Sequence, residues 1–171
     1  MTQIQKFTPE YLESLRNGIR YVPHAVAIGL KIVDVKPSEC WLSIPYEQDF
    51  IGDVERGVIH GGIITTLLDN ACGLAVQMAM AMEHTISIAT LDLRIDYMKP
   101  ATPGLGLFAH ATCIKATRNI AFVRGTAYHL DPSDQIATCV GTFMLGANRI
   151  SSEQFAEFTK ELPENKDLWS K

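Results

Sequence analysis

Residues 57–80 read GVIHGGIITTLLDNACGLAVQMAM. From Gly57 to Met82 the only formal charge is Asp69. At about 100° per residue, Ile64, Leu67, Leu68, Ala71, Leu74 and Met78 line one apolar sector of a helix. Thr65/Thr66, Asp69/Asn70, Gly73 and Gln77 form a second, small and polar stripe at i, i+4 spacing. The pattern predicts a long helix whose first turn lies near His60–Gly62. An apolar stretch of about 20 residues could cross a bilayer, but a lone carboxylate near its middle is costly in lipid. A helix this apolar is therefore expected inside the body of a soluble protein, wrapped on most sides. Gly61, Gly62, Ala71, Gly73, Ala75 and Ala79 let neighbouring backbone come close.

The sequence around this helix alternates. GLKIVDVKP and CWLSIPYE, within 29–47, read as two strands around a Pro37-Ser38-Glu39 turn. Residues 48–56 read as a polar loop. After the helix come strands at SIATLDLRIDYM, GLGLFAHATCIKA, NIAFVRGTAYHL and QIATCVGTFMLG, joined by turns at Pro100, Thr117-Arg118-Asn119 and Pro132-Ser133-Asp134. Antiparallel strands gathered on one helix make an α+β domain, and a curved sheet around a central helix meets the burial demand. The organisation expected is an N-terminal helical segment over 1–28, with a helix from Pro9 to Asn17 capped by Thr8. The main domain follows over 29–146. A C-terminal helical extension over 147–171 carries Phe155 and Phe158, with a cap at Ser151-Ser152-Glu153.

The 171 residues suit one domain, and the charged fraction of 20% with 47% apolar residues marks a globular chain. A net charge of −4 and a pI near 5.7 argue against a nucleic-acid partner. The nearest two of the four cysteines, Cys113 and Cys139, are 26 residues apart, so no CxxC pair exists. Buried thiols in a reducing cytosol are expected. MTQIQKFTPEYLESLR is polar and shows no apolar leader, and a cytoplasmic protein with no membrane partner is expected. The five histidines show no ligand spacing, and no metal or redox cofactor is expected.

An ionised Asp taken out of water is expensive unless paired, and no Lys or Arg lies between 57 and 82. Asp69 is then either a structural acceptor or a carboxylate of raised pKa able to act as general base or nucleophile. At the helix start, unsatisfied N–H groups and the positive dipole end suit an anion or a developing oxyanion, and glycines allow close approach. A tight loop-to-helix turn uses glycine as well. His60 is read as a hydrogen-bonded residue that orders the turn. Asp69 lies nine residues beyond His60, half a turn around and about 13 Å along the helix. One chain cannot easily bring both to one atom, whereas a two-fold dimer can set Asp69 of one chain opposite Gly61 of the other.

GVIHGGIITTLLDNACGLA, followed by ATLDLRIDYMKPA, resembles the hotdog-fold thioesterases of the phenylacetic-acid-degradation (PaaI-like) type, over roughly residues 29–146. The resemblance implies hydrolysis of acyl-CoA thioesters with coenzyme A as part of the substrate. It implies that the Gly61 N–H polarises the thioester carbonyl and that Asp69 attacks it or activates water. Thr90 would position the carboxylate or the water, and the chain would form dimers, often paired into tetramers. The sequence departs from the family at Val54, where many relatives carry an Asn six residues before the His. CoA phosphates would meet Lys99, Lys115 and Arg118, with Gly62 also at the substrate. The acyl group is expected near Met78, Met82 or Ile59. A non-catalytic acyl-CoA sensor and a hydroxyacyl-thioester dehydratase, using a His60/Asp69 pair, are the alternatives.

Overall fold

The structure, a computed structural model, describes residues 7–80 and 84–151, with side chains described over 7–80 and 87–146. Its elements are α1 (Pro9–Ile19), α2 (Pro23–Ala27), β1 (Lys31–Lys36), β2 (Glu39–Ile44), β3 (Ile51–Asp53), β4 (Val58–Ile59), α3 (Gly61–Ala79), β5 (His84–Tyr97), β6 (Leu107–Ala116), β7 (Ile120–Tyr128) and β8 (Gln135–Ser151). Six strands form one antiparallel sheet in the order β1-β2-β6-β7-β8-β5. The α3 helix lies across this sheet, chiefly against β6, β2 and β7. This is the α+β hotdog arrangement expected from the sequence.

The alternation read in the strands is a burial alternation. Leu107, Ala109, Ala111 and Cys113 of β6 and Ala121, Val123, Gly125 and Ala127 of β7 face the helix and are buried. The helix answers with Ile64, Leu67, Leu68, Ala71, Cys72, Ala75, Val76 and Met78. The buried sector is centred differently from the one the wheel predicts. Cys72, Ala75 and Val76 are inside, while Leu74 is only half-buried. Small side chains are what the sheet can take at closest approach: a Cβ on Gly125 would stand 2.9 Å from Cys139 Sγ and 3.3 Å from Cys72 Sγ. One flank of α3 stays open, with Thr65, Thr66, Asp69, Asn70 and Gly73 half-buried and Gln77 exposed. The helix is long and apolar enough to cross a membrane, but its packed face is the core of the domain.

Several boundaries differ from the sequence reading. The stretch 48–56 is not a featureless loop: a 3-10 turn at Gln48–Phe50 leads into a two-stranded ribbon of β3 and β4. Phe50 is buried, and its carbonyl accepts the His60 N–H, which ties the segment to the start of α3. The last strand does not stop at Gly146 but runs to Ser151, its end paired with His84–Ile86 of β5. The Ser151–Glu153 cap and the remainder of the C-terminal extension lie outside the described residues, apart from Ser151 itself. At the N-terminus, Thr8 Oγ1 accepts Tyr11 N–H at 3.2 Å and α1 runs two residues beyond Asn17.

The two sheet edges are unlike. Arg16 of α1 donates from Nε to Ile32 O at 2.9 Å and from its Nη2 to Val33 O at 2.8 Å. A side chain thus occupies carbonyls of β1 that another strand could use, a recognised protection of an edge. The outer edge of β5 has no strand partner among the described residues.

All four cysteines are buried and unpaired by disulfide. Burial pushes the Cys40 thiol up to about 12. Cys72 is also raised, first by its contact with Cys139 Sγ at 3.5 Å and then by burial. The Cys40 and Cys72 thiols are neutral in the folded state. In the native protein they should react with dithionitrobenzoate only at the rate of opening, and rapidly in denaturant; fast native titration of Cys40 or Cys72 would contradict the packing. Gly141→Ala would bring a methyl to within 2.9 Å of Asp92 O. That contact is with backbone, so a loss of about 1–3 kcal/mol is expected from thermal or denaturant unfolding.

Candidate active site

The first turn of α3 is held from three sides. His60 is the N-cap, and its Nδ1 accepts the Gly62 N–H at 2.8 Å. Its carbonyl accepts Ile63 N–H at 3.0 Å, and its own N–H donates to Phe50 O at 2.7 Å. The β3–β4 ribbon lies directly against it: a Cβ on Gly52 would stand 2.8 Å from His60 Cα. Because Nδ1 is an acceptor, the neutral ring carries its proton on Nε2. Gly62 N–H is consumed by this cap. Gly61 N–H has no acceptor among the described residues, so it is the first-turn amide left to meet a ligand. The two glycines, similar in sequence, are thereby different in chemistry.

The carbonyl of Gly61 is held as firmly. Tyr97, the last residue of β5, donates from its hydroxyl to Gly61 O at 2.8 Å. Thr65 Oγ1 donates to the same oxygen at 3.1 Å and lies 2.7 Å from Tyr97 Oη. Beside Gly61 opens a cavity of about 340 Å³ lined by Val58, Ile59, Ile64, Tyr97, Met98 and the Lys99–Ala101 segment. Lys99 is at its wall and forms an ion pair with Asp134. Of the apolar residues expected around an acyl group, Ile59 lines the cavity, Met78 is in the core and Met82 lies outside the described residues.

Asp69 lies on the open flank of α3, about 12 Å from Gly61 by helix rise. It is half-buried, and Thr90 Oγ1 of β5 donates to its Oδ1 at 2.8 Å. No cation lies within ion-pair distance of it among the described residues. Its second oxygen has no hydrogen-bond partner there. A carboxylate held on one side by a hydroxyl and open on the other can take a proton or attack a carbonyl. Asn70 turns inward on its own helix, its amide on Thr66 O at 2.8 Å.

The predicted residues therefore fall into two groups within one chain. Gly61, Gly62, His60 and Lys99 gather at the start of α3, and Asp69 with Thr90 gathers two turns further on. Lys115 and Arg118 do not join Lys99. They sit at the β6–β7 turn, where Ala121 pairs with Phe143 and Phe143 with Thr90, so they lie towards the Asp69 end. Val54 is 85% exposed at the tip of the ribbon. Two further histidines, His110 and His129, serve the scaffold. His129 accepts Thr102 N–H at 2.8 Å and donates to Gly106 O at 2.7 Å, and His110 pairs with Glu39 and stacks on Trp41. Sequence reading missed Tyr97, because a tyrosine ending an alternating strand looks like any exposed aromatic.

Comparison with known proteins gives a consistent picture. The family model described as thioesterase superfamily matches residues 56–135. A relative from Halobacterium salinarum, named an esterase only provisionally, is 34% identical over 95 residues, and the match spans 55% of this chain and 63% of that protein. The medium/long-chain acyl-CoA thioesterase YigI of Salmonella typhimurium is 27% identical, with 75% of this chain and 88% of the relative covered. A crystal structure of a Pseudomonas aeruginosa protein is 41% identical with a TM-score of 0.69, covering 78% of this chain and 97% of that one. A point variant of the phenylacetic acid degradation protein PaaI from Thermus thermophilus is 26% identical with a TM-score of 0.61, covering 71% and 97%.

The cap makes a stability prediction independent of any activity. His60→Ala removes the acceptor of Gly62 N–H and should cost about 1 kcal/mol in denaturant unfolding. An unchanged midpoint would show that the Nδ1 contact contributes nothing in solution.

Proposed function

Because this chain belongs to the thioesterase superfamily and is a thioester hydrolase, we propose that it cleaves acyl-CoA thioesters to free acid and CoA across a two-fold dimer. The observation that carries this reading is the split between an unsatisfied Gly61 N–H and a Thr90-held Asp69, two turns apart on one helix and contacted by one strand. Each is half of an acyl-transfer site, and a second copy completes both.

The unpaired edge of β5 gives the way to do so. Two β5 strands joined antiparallel about an axis near Arg94, with the irregularity between Thr90 and Asp92 taken into the register, would bring Thr90 of one chain near Tyr97 of the other. Asp69 of one chain then approaches the cavity beside the partner's Gly61. Leu91, Tyr97 and Met98, more than half exposed in the single chain at 55%, 52% and 62%, would be covered at this seam. The outer sheet face, with Ile114, Phe122, Val140 and Met144 exposed, offers a surface for pairing dimers.

In the reaction the thioester carbonyl oxygen accepts the Gly61 N–H, and the helix dipole favours the negative charge that develops there. Asp69 of the partner, through its free oxygen, attacks the carbonyl carbon or removes a proton from the water that does. The C–S bond breaks and CoA leaves as thiolate, which takes up a proton; where Asp69 is the nucleophile, water then hydrolyses the acyl–Asp69 anhydride, and on either route the acyl group ends as a carboxylate and Asp69 is regenerated. Thr90 keeps the carboxylate aimed by holding the other oxygen. The relatives named acyl-CoA thioesterases support this substrate class. The dehydratase alternative asks His60 to act as a base, but the lone pair of its Nδ1 is spent on Gly62 N–H. In binding CoA, Lys99 serves at the cavity, with Lys115 and Arg118 reaching from the partner's Asp69 end.

The test is thiol release from a panel of acyl-CoAs, run beside a solution mass. Wild type should release CoA as a dimer or dimer of dimers. Asp69→Asn should lower kcat by about a hundredfold or more with the assembly unchanged. Wild-type turnover in that variant, or a fully active monomer, would overturn the proposal. Tight binding of acyl-CoA without release would favour the sensor reading instead.

A further inference from the structure

Two glycines open a helix that has to present one amide in a fixed direction, and glycine is the residue least able to fix its own backbone. Something else must supply the stiffness. One end of the Gly61–Gly62 peptide is tied by His60 Nδ1, which takes its N–H at 2.8 Å. The other end, Gly61 O, is tied by Tyr97 Oη at 2.8 Å and Thr65 Oγ1 at 3.1 Å. Tyr97 reaches there from β5, 36 residues along the chain. Its ring packs so closely that a Cβ on Gly61 would stand 3.2 Å from both Cζ and Oη. The same ring lines the cavity beside Gly61. Tyr97 is about half exposed in the single chain, so core packing does not account for its orientation. Its hydroxyl makes polar contacts with Gly61 O and Thr65 Oγ1.

We propose that Tyr97 is a positioning residue, which clamps the Gly61–Gly62 peptide with Thr65 so that the Gly61 N–H projects into the cavity. This rests on the thioesterase reading of the same site. With the carbonyl pinned, the first turn cannot rock, and the donor is held where the transition-state oxygen forms. An oxyanion donor acts on the developing charge, so loosening it lowers the chemical rate while ground-state binding of the acyl-CoA is retained.

The experiment compares wild type, Tyr97→Phe, Thr65→Val and the double variant, with Asp69→Asn as the control for the reaction itself. Tyr97→Phe keeps the ring as the cavity wall and removes only the hydroxyl. It should lower kcat about tenfold with KM within about twofold. Adding Thr65→Val should cost less than the product of the single effects, because both hydroxyls serve one carbonyl. Hydrogen exchange at the Gly62 amide should accelerate in Tyr97→Phe, a readout that needs no turnover. If wild type is active, Asp69→Asn is not, and Tyr97→Phe keeps wild-type kcat, the clamp is wrong and the thioesterase reading stands. Unchanged Gly62 exchange also rejects the clamp. If wild type releases no thiol from any acyl-CoA, both proposals fall.

Discussion

The structure depends on one contact surface, the face of α3 laid across β6, β2 and β7. An isolated helix of this length is marginal in water, and burial of Ile64, Leu67, Leu68, Val76 and Met78 stabilises it by roughly 1.5–3 kcal/mol for each large side chain. Close approach sets the composition of that face. Ala71, Cys72 and Ala75 are fully buried, and Gly125 of β7 leaves room for two sulfurs. Once this face is committed to the sheet, the opposite stripe has nowhere to go but the open flank. Asp69 is exposed to chemistry because its neighbours on the wheel are needed elsewhere.

The strand β5 turns that flank into a site. It contributes Thr90 to Asp69 and Tyr97 to Gly61, so one strand touches both ends of the working part of the helix. It is also the edge strand left without a partner among the described residues, while the far edge at β1 is occupied by Arg16. The same strand therefore holds both polar points of the helix and leaves its own outer edge without a strand partner among the described residues.

At the start of α3 the arrangement is one of elimination. His60 has two backbone bonds and one ring bond, all directed at fixing the turn. Each bond removes a candidate from the set of free amides until Gly61 remains. The β3–β4 ribbon takes part by packing on His60 where Gly52 has no side chain. With its Nδ1 already occupied by Gly62 N–H, His60 serves the geometry of this turn.

The sequence by itself determined the long helix, the six strands of the main sheet, their antiparallel gathering on the helix and Asp69 as its one charge. Those features follow from periodicity and from the cost of burying charge, which are local properties of the chain. Residues 48–56 were legible only as polar, because a two-residue β4 is too short to show alternation and forms by packing on His60. Leu74 and Val76 exchanged roles because sheet contacts, not helical spacing, choose the buried arc. Only the tertiary structure decided which glycine amide is free, where Lys115 and Arg118 lie relative to Lys99, and that Tyr97 belongs to the site. Each of these is a contact between residues far apart in the chain, and such contacts exist only after strand and helix have been brought together by burial.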